Sequence, residues 1–470
     1  MLEKVFKLKE NHTNVKTEVI AGLATFMTMA YIVQLNPNLL TNFAVGTPLW
    51  NAVFMATILS AFVGTILMGL LANKPFALAP GMGLHSYFAS VVAGIAAVTG
   101  LAYEEAFGGG LAIILISGIL FTVLTVLKIR EKIVEAIPKS VRLGISAGIG
   151  LMLVNIGLST NAAVYYDGGS QTMIGFFTDG ASVTKAAMGS AYPTIILYII
   201  TMFVGLFAIA ALNHKKVKGS ILIGMVVAAV VYWIGSFILG GNPFASLSGA
   251  SFVPPFKDMF DMTFLKFNFN TLFKMGFLSA IMTIISFCMV DMFDTIGTFL
   301  GTAKKANMLN EKGEMPDMNK AMLADSIATC VGSVTGTSTV TTFIESAAGV
   351  EEGGRTGLTS VITGICFLAC MFLAPIAALI PAPATSAALV FVGVLMISAL
   401  KEVDYTDVSA SVSVVLMLIF MMVTGGIGNG IGIGLIAYSI VKICTGKAKE
   451  VSILTLVLSV LFIGKFFIAF

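Results

Sequence analysis

Long apolar runs dominate this chain, and a run of about 20 residues is what a helix needs to cross a bilayer. The first set lies at 18–40, 46–72, 82–98, 109–127, 140–158, 190–213 and 218–240. A second lies at 269–300, 321–334, 343–350, 357–379, 384–400, 407–442 and 450–468. The chain is 57% hydrophobic and 11% charged, whereas soluble domains carry about 25% charge. So much apolar surface does not fit one water-soluble core. The runs are near-continuous rather than alternating, which excludes a β-barrel. The expected fold is therefore an all-α polytopic membrane protein with about fourteen transmembrane segments. The segment 407–442 is the least certain: Gly425-Gly426-Ile427-Gly428-Asn429-Gly430 splits it, giving one broken helix or a hairpin.

Charge placement orients the chain. Lys4, Lys7, Lys9 and Lys16 precede the first span, and Lys74 follows the second. Lys128, Arg130, Lys132, Lys139 and Arg142 surround the join after the fourth. His214, Lys215, Lys216 and Lys218 follow the sixth, and Lys304 and Lys305 the eighth. These are alternate loops, which predicts a cytoplasmic N-terminus in a cytoplasmic membrane. The stretch 242–268 then reads as an external linker. The net charge of +3 leaves no nucleic-acid footprint. No cleavable signal peptide is evident. The five cysteines have no metal spacing and read as small core residues.

The two halves resemble each other weakly. Ala136-Ile137-Pro138-Lys139-Ser140 opens a glycine-rich span, and Leu379-Ile380-Pro381-Ala382-Pro383 opens another at the equivalent place. Each half also holds a short span preceded by a helix-poor stretch. One runs from Lys74 through Pro80, Gly81 and Gly83 to His85; the other runs from Val334 to Thr342 and leads to Glu345. Seven spans per half would make the copies point oppositely across the membrane. Paired discontinuous helices in inverted repeats mark a midplane binding site.

Acidic residues inside apolar runs are costly and face a polar pathway. Asp291 and Asp294 follow the run from Phe277 to Val290. They are three apart, hence on one helix face, which Thr295 and Thr298 extend. Two carboxylates this close disfavour double ionisation, which makes one of them a proton carrier; spacing does not say which. An acidic pair in water at the end of the span, near Lys304 and Lys305, is the alternative. The β-branched run Thr339 to Thr342 favours extended backbone, so helix begins near Phe343 and Glu345 sits in its first turn. There the carboxylate could accept two N–H donors from a nucleobase edge, or act as a cap, or pair with Arg355. Pro80 and Gly81 interrupt helix before Met82, leaving first-turn N–H groups free near His85; Pro80 as a plain kink with His85 packed is the alternative. Asp325, with Ser326 and Thr329, serves packing or ion coupling. Phe343 is a candidate for stacking on a planar ring. The three histidines, His12, His85 and His214, form no metal motif, and no nucleoside-triphosphate loop is present. No cofactor and no enzyme activity are expected, and an ion gradient is the expected energy source.

Three stretches then carry a resemblance: Ala79-Pro80-Gly81-Met82-Gly83-Leu84-His85-Ser86-Tyr87-Phe88, Val290-Asp291-Met292-Phe293-Asp294-Thr295-Ile296-Gly297-Thr298, and Gly336 to Val350 with Glu345 at its centre. In these the chain resembles the AzgA-like branch of the nucleobase–ascorbate (xanthine/uracil) permeases, which includes guanine/hypoxanthine and adenine permeases. The resemblance implies a 7+7 inverted repeat with short central strands in segments 3 and 10. It implies a core domain from 1–135 and 269–379, a gate domain from 136–241 and 380–470, and the external linker 242–268. It implies Asp291 and Glu345 as substrate-binding acids and Asp294 as a second acid for proton coupling. His85 and Phe343 complete the expected substrate site, with Thr295, Asp325, Thr342 and Gly83 in support. It implies symport of purine nucleobases with protons and a homodimer through the gate domain. One departure is His85, where the branch usually has Asn; Asn offers a donor and an acceptor together, and His places them on separate ring atoms. An anion transporter on the same architecture is the main alternative. A channel-like or structural membrane protein is a further one.

Overall fold

The computed structural model describes residues 2–129, 133, 136–159, 165–167, 173–248, 250–305, 308 and 315–467. Eleven helices among them are long and apolar enough to cross a membrane. Helix α1 (Val15–Met29) starts where the Asn14 side chain accepts from the Thr17 N–H, a standard N-cap. It breaks at Tyr31 and continues as α2 (Ile32–Leu40). Thr47 caps α3 (Pro48–Leu67), with Pro48 in the first turn, where its missing N–H costs nothing. A short strand β1 (Leu78–Pro80) leads into α4 (Met82–Thr99). Then come α5 (Tyr103–Val126) and α6 (Lys139–Leu158), followed by a small hairpin, β2 (Tyr165–Asp167) with β3 (Met173–Gly175). Helices α7 (Tyr192–His214) and α8 (Ser220–Ile238) close the first half.

The second half holds α9 (Phe277–Lys305), α10 (Met318–Thr335), strand β4 (Val340–Thr342), a 3-10 turn (Ile344–Ser346) and α11 (Ala347–Glu351). Helices α12 (Gly357–Ala369), α13 (Ala382–Ile397), α14 (Val408–Thr424), α15 (Ile427–Cys444) and α16 (Ile453–Phe467) complete it. Gly336 ends α10 with φ 114°, a backbone conformation open to glycine and strained for any side chain. A Cβ there would also overlap Thr263.

One open reading is settled and two expectations change. Region 407–442 is a hairpin of two packed helices, α14 and α15, because Gly425 takes φ 60° and turns the chain. Segment 269–300 is not one helix: Phe269–Lys274 stands apart, and Gly276 at φ 93° breaks the chain before α9. The short span after β1 is in fact 18 residues long, so the two discontinuous segments are unequal. The stretch 242–268 contains a short helix of its own. Its helix Phe256–Met262 packs on α3, where Asp258 accepts from the Asn51 side chain at 2.7 Å.

Helices fall into two packing groups. One joins α1, α3, α5, α10 and α12; the other joins α6, α7, α8, α13, α14 and α15. Helix α9 touches both, packing on α5 and β4 and on α15 and α16. Within the first group Glu18 is fully buried on α1. It accepts from the N–H groups of Arg355, Thr356 and Thr359 and from the Thr359 hydroxyl at 2.6 Å. A carboxylate at the N-terminus of α12 meets both the free donors and the helix dipole, and it ties the two halves together.

Strands β1 and β4 pair antiparallel, Leu78 with Thr342, Ala79 with Thr341 and Pro80 with Val340. Two flanking bonds are related by an approximate two-fold: Gly81 N–H donates to Thr339 C=O, and Phe343 N–H to Ala77 C=O, each at 3.0 Å. The alternate residues Leu78 and Val340 therefore turn their backbone groups outward, where hydrocarbon offers no partner. A threonine meets each. Thr65 of α3 bonds both Leu78 N–H and C=O at 2.9 Å. Thr329 of α10 bonds Val340 N–H at 3.3 Å and C=O at 3.0 Å. Pro80 sits at an outward position too, so the ladder loses nothing by its missing N–H.

Candidate functional site

The two outward threonines hold the ribbon in place, and the ends of its strands deliver the site. β4 runs straight into the 3-10 turn that carries Glu345. Glu345 is half-buried, and its Oε1 accepts from the Tyr31 hydroxyl at 2.7 Å. Its Oε2 has no protein partner among the described residues. Thr28 donates to its backbone carbonyl at 3.4 Å. Arg355 is not its partner; that guanidinium donates to the carbonyls of Val350 and Gly354.

Helix α9 packs on β4 and on the 3-10 turn, so its acids meet this segment. Asp294 lies close enough to Glu345 for the two carboxylates to interact electrostatically. Asp291 is fully buried; its Oδ2 accepts from Thr329 at 2.9 Å, and its Oδ1 has no partner among the described residues. Asp325 on α10 is also fully buried. Thr295 donates to its Oδ2 at 2.7 Å and Thr342 to its Oδ1 at 2.9 Å. Thr295 also bonds Thr341 at 2.8 Å. Asp325 thus stitches α9, α10 and β4 together and lies beside both Asp291 and Asp294. Among the described residues no ion pair neutralises these four carboxylates. No cluster suited to a metal ion occurs among those residues.

The other predicted residues lie on or beside the same ribbon. His85 is fully buried in the first turns of α4, and neither ring nitrogen has a hydrogen-bond partner among the described residues. The Pro80 carbonyl is near the ring but outside hydrogen-bond geometry. Gly83 faces α6, where a Cβ would overlap Ile149. Phe343 is 4% exposed and packs with Met29, Ile32, Phe54 and Met82. The backbone donor of Phe343 is not free for a ligand, because it pairs with Ala77. Among the described residues, the donors without a backbone partner at the two helix starts include those of Met82, Gly83, Ile344 and Glu345.

Sequence reasoning gave Tyr31 and Thr341 no place in the site, and named Thr329 only as a neighbour of Asp325. Tyr31 carried one signal, a hydroxyl in the middle of an apolar run. The threonines carried none beyond being small and polar.

A family model described as "Permease family" matches residues 16–431. The adenine permease AdeP of Escherichia coli strain K12 is 36% identical over 99% of this chain and 96% of its own length. The guanine/hypoxanthine permease PbuO of Bacillus subtilis strain 168 is 36% identical over 99% of this chain and 100% of its own. Among solved structures, the transmembrane domain of the cyanobacterial bicarbonate transporter BicA superposes with a TM-score of 0.60. That likeness has 17% identity over 90% of this chain and 97% of the other, and speaks for the fold. A multi-pass helical membrane protein matched along nearly all its length in this way is placed: the chain belongs to the Permease family, that of the nucleobase–ascorbate (xanthine/uracil) permeases.

Proposed function

We propose that this protein carries purine nucleobases across the cytoplasmic membrane together with protons. The observation that carries this reading is Glu345, whose one oxygen is held by Tyr31 while the other is left open beside Asp294. A purine presents N–H groups on one edge and ring nitrogens on the other. Glu345 accepts from the N–H edge, and the free donors of Met82 and Gly83 meet an acceptor. An unmatched buried polar edge is expensive, so this pattern rejects bases whose donors are misplaced. The relatives named as adenine and guanine/hypoxanthine permeases support the substrate class.

Proton binding falls to Asp291 or Asp294. A carboxylate cluster without a cation favours taking up a proton before or with a neutral base. In this reading α1–α5 and α9–α12 form the core, and α6–α8 and α13–α16 the gate. The two halves are a 7+7 inverted repeat of fourteen segments, and the symmetric hydrogen bonds of β1 and β4 support it. The N-terminus is cytoplasmic, and the gate supplies a homodimer contact. The core moves against the gate to expose the site on alternate sides. An anion transporter is the less favoured reading, since four unpaired carboxylates repel an anion.

The test is uptake of tritiated adenine, guanine and hypoxanthine into cells lacking their own purine permeases. Accumulation of at least one base, abolished in Glu345→Gln at equal membrane abundance, is expected. Wild-type uptake by the Glu345→Gln variant would falsify the site.

A further inference from the structure

We propose that Thr329 is a proton-dependent clamp on β4, through which protonation of Asp291 tightens the segment that carries Phe343 and Glu345. This rests on the reading of the α9 acids as the proton carriers. A threonine hydroxyl has one hydrogen to give and two lone pairs to offer. Thr329 Oγ1 has three neighbours: Val340 N–H at 3.3 Å, Val340 C=O at 3.0 Å and Asp291 Oδ2 at 2.9 Å. The N–H fills one lone pair. The single hydroxyl hydrogen then faces two acceptors.

Protonation decides between them. An ionised carboxylate is the stronger acceptor, so charged Asp291 takes the hydrogen and leaves Val340 C=O without it. Val340 sits at an outward position of the ribbon, opposite Pro80, and its carbonyl gains no ladder bond in exchange. A protonated Asp291 instead donates its own O–H to the second lone pair of Thr329. The threonine hydrogen then goes to Val340, and the Thr329 hydroxyl and both Val340 backbone groups are satisfied. The proton added comes from solvent and stays on the Asp291 carboxyl. Asp291 Oδ1 is buried and without a partner among the described residues, which also suits the neutral acid.

The first half supplies an internal contrast. Thr65 clamps Leu78 through the same two backbone groups, with no carboxylate among the described residues bonded to its hydroxyl. The titratable groups facing Asp291 are Asp325 of α10, Asp294 of its own helix, and the thiols of Cys288 and Cys330. Glu345 lies close enough to Asp294 to interact with it electrostatically. Thr329 is thus a positioning residue: it acts on the site through β4.

The experiment measures KM for the tritiated base the wild type takes up, at external pH values from acid to mildly alkaline, with membrane abundance quantified. In the wild type KM falls as pH falls. Thr329→Val raises KM about tenfold at acid pH, the loss of one hydrogen bond, and flattens the pH profile. Thr329→Ser restores both. Thr65→Val raises KM evenly and keeps the wild-type slope. Should Thr329→Val be missing from the membrane, Thr329→Ala, which removes the hydroxyl without adding bulk, takes its place. A wild-type slope in the hydroxyl-free variant, or equal flattening in Thr65→Val, overturns the clamp. Wild-type protein that transports none of the three bases overturns the underlying transport reading instead.

Discussion

Tyr31, at the break between α1 and α2, donates a 2.7 Å hydrogen bond to Glu345, 314 positions further along the chain. The phenol is fully buried, and it fixes one oxygen of a carboxylate that sits on only a turn of 3-10 helix. Without that bond the side chain of Glu345 regains its rotamers. Tyr31→Phe keeps the ring in place and removes only the donor. A hydrogen bond to a charged group contributes about 1.5–3 kcal/mol, so KM should rise roughly tenfold or more, with membrane abundance unchanged. Kinetics of base uptake in the two proteins check this, and an unaltered KM would show that Tyr31 does not orient Glu345.

Glu18 is a structural acid by the same logic, and it should behave differently. Four donors converge on it at the start of α12. Glu18→Ala leaves buried N–H groups unsatisfied, at about 1–3 kcal/mol each. The expected outcome is a lower unfolding temperature in detergent and less protein in the membrane, with KM of the surviving protein near wild type. Glu18→Gln keeps an acceptor and should fall between. A raised KM at normal stability would move Glu18 into the transport machinery.

A pH-dependent contact lies at the far end of the second helix group. Asp407 caps α14 through Ser409 and pairs with Lys442 at 2.9 Å; Lys442 also meets Glu450 at 2.8 Å. The Ser409 hydrogen bonds first, and then Lys442, pull the Asp407 carboxyl down from 3.8 to about 2. A depressed carboxyl stabilises the folded form above its ordinary value and loses that contribution as pH falls through its folded value. The stability gap between wild type and Asp407→Asn should therefore be full above about pH 4 and close toward about pH 2. Thermal unfolding of both proteins across that range measures it, and a gap independent of pH would exclude the linkage.

How much of this was written openly in the chain depends on the kind of signal. Asp291, Asp294 and Glu345 stood out because charge in an apolar run has few explanations. Pro80 with Gly81, and the β-branched run to Thr342, marked the breaks in helix that β1 and β4 fill. Tyr31 was hidden because its partner lies across the molecule and its own neighbours are apolar. The bonds of Thr329 to Val340 were hidden because a threonine in a membrane helix more often bonds its own preceding turn. The Phe343 N–H is not open to a ligand for a tertiary reason no sequence pattern shows: strand pairing with Ala77 consumes it. The hairpin at 407–442 was undecided because glycines there permit a bend as readily as a continuous helix.

Gly83 offers a mechanical test of motion between the two helix groups. It lies in the first turn of α4, and a Cβ at this position would overlap Ile149 of α6. Close approach of α4 to α6 therefore depends on the missing side chain. Gly83→Ala should not touch Glu345, since the added methyl points to α6. It should instead hold the helices apart and slow the step in which one group slides past the other. The expected result is a lower maximal uptake rate with KM changed less than maximal rate. Ile149→Ala removes Cγ2 and Cδ1, the two nearest atoms the methyl meets, so Gly83→Ala/Ile149→Ala should regain most of the lost rate. The coupling in that double-mutant cycle is the decisive quantity. Additive losses would mean that Gly83 is needed for something other than the approach of α4 to α6.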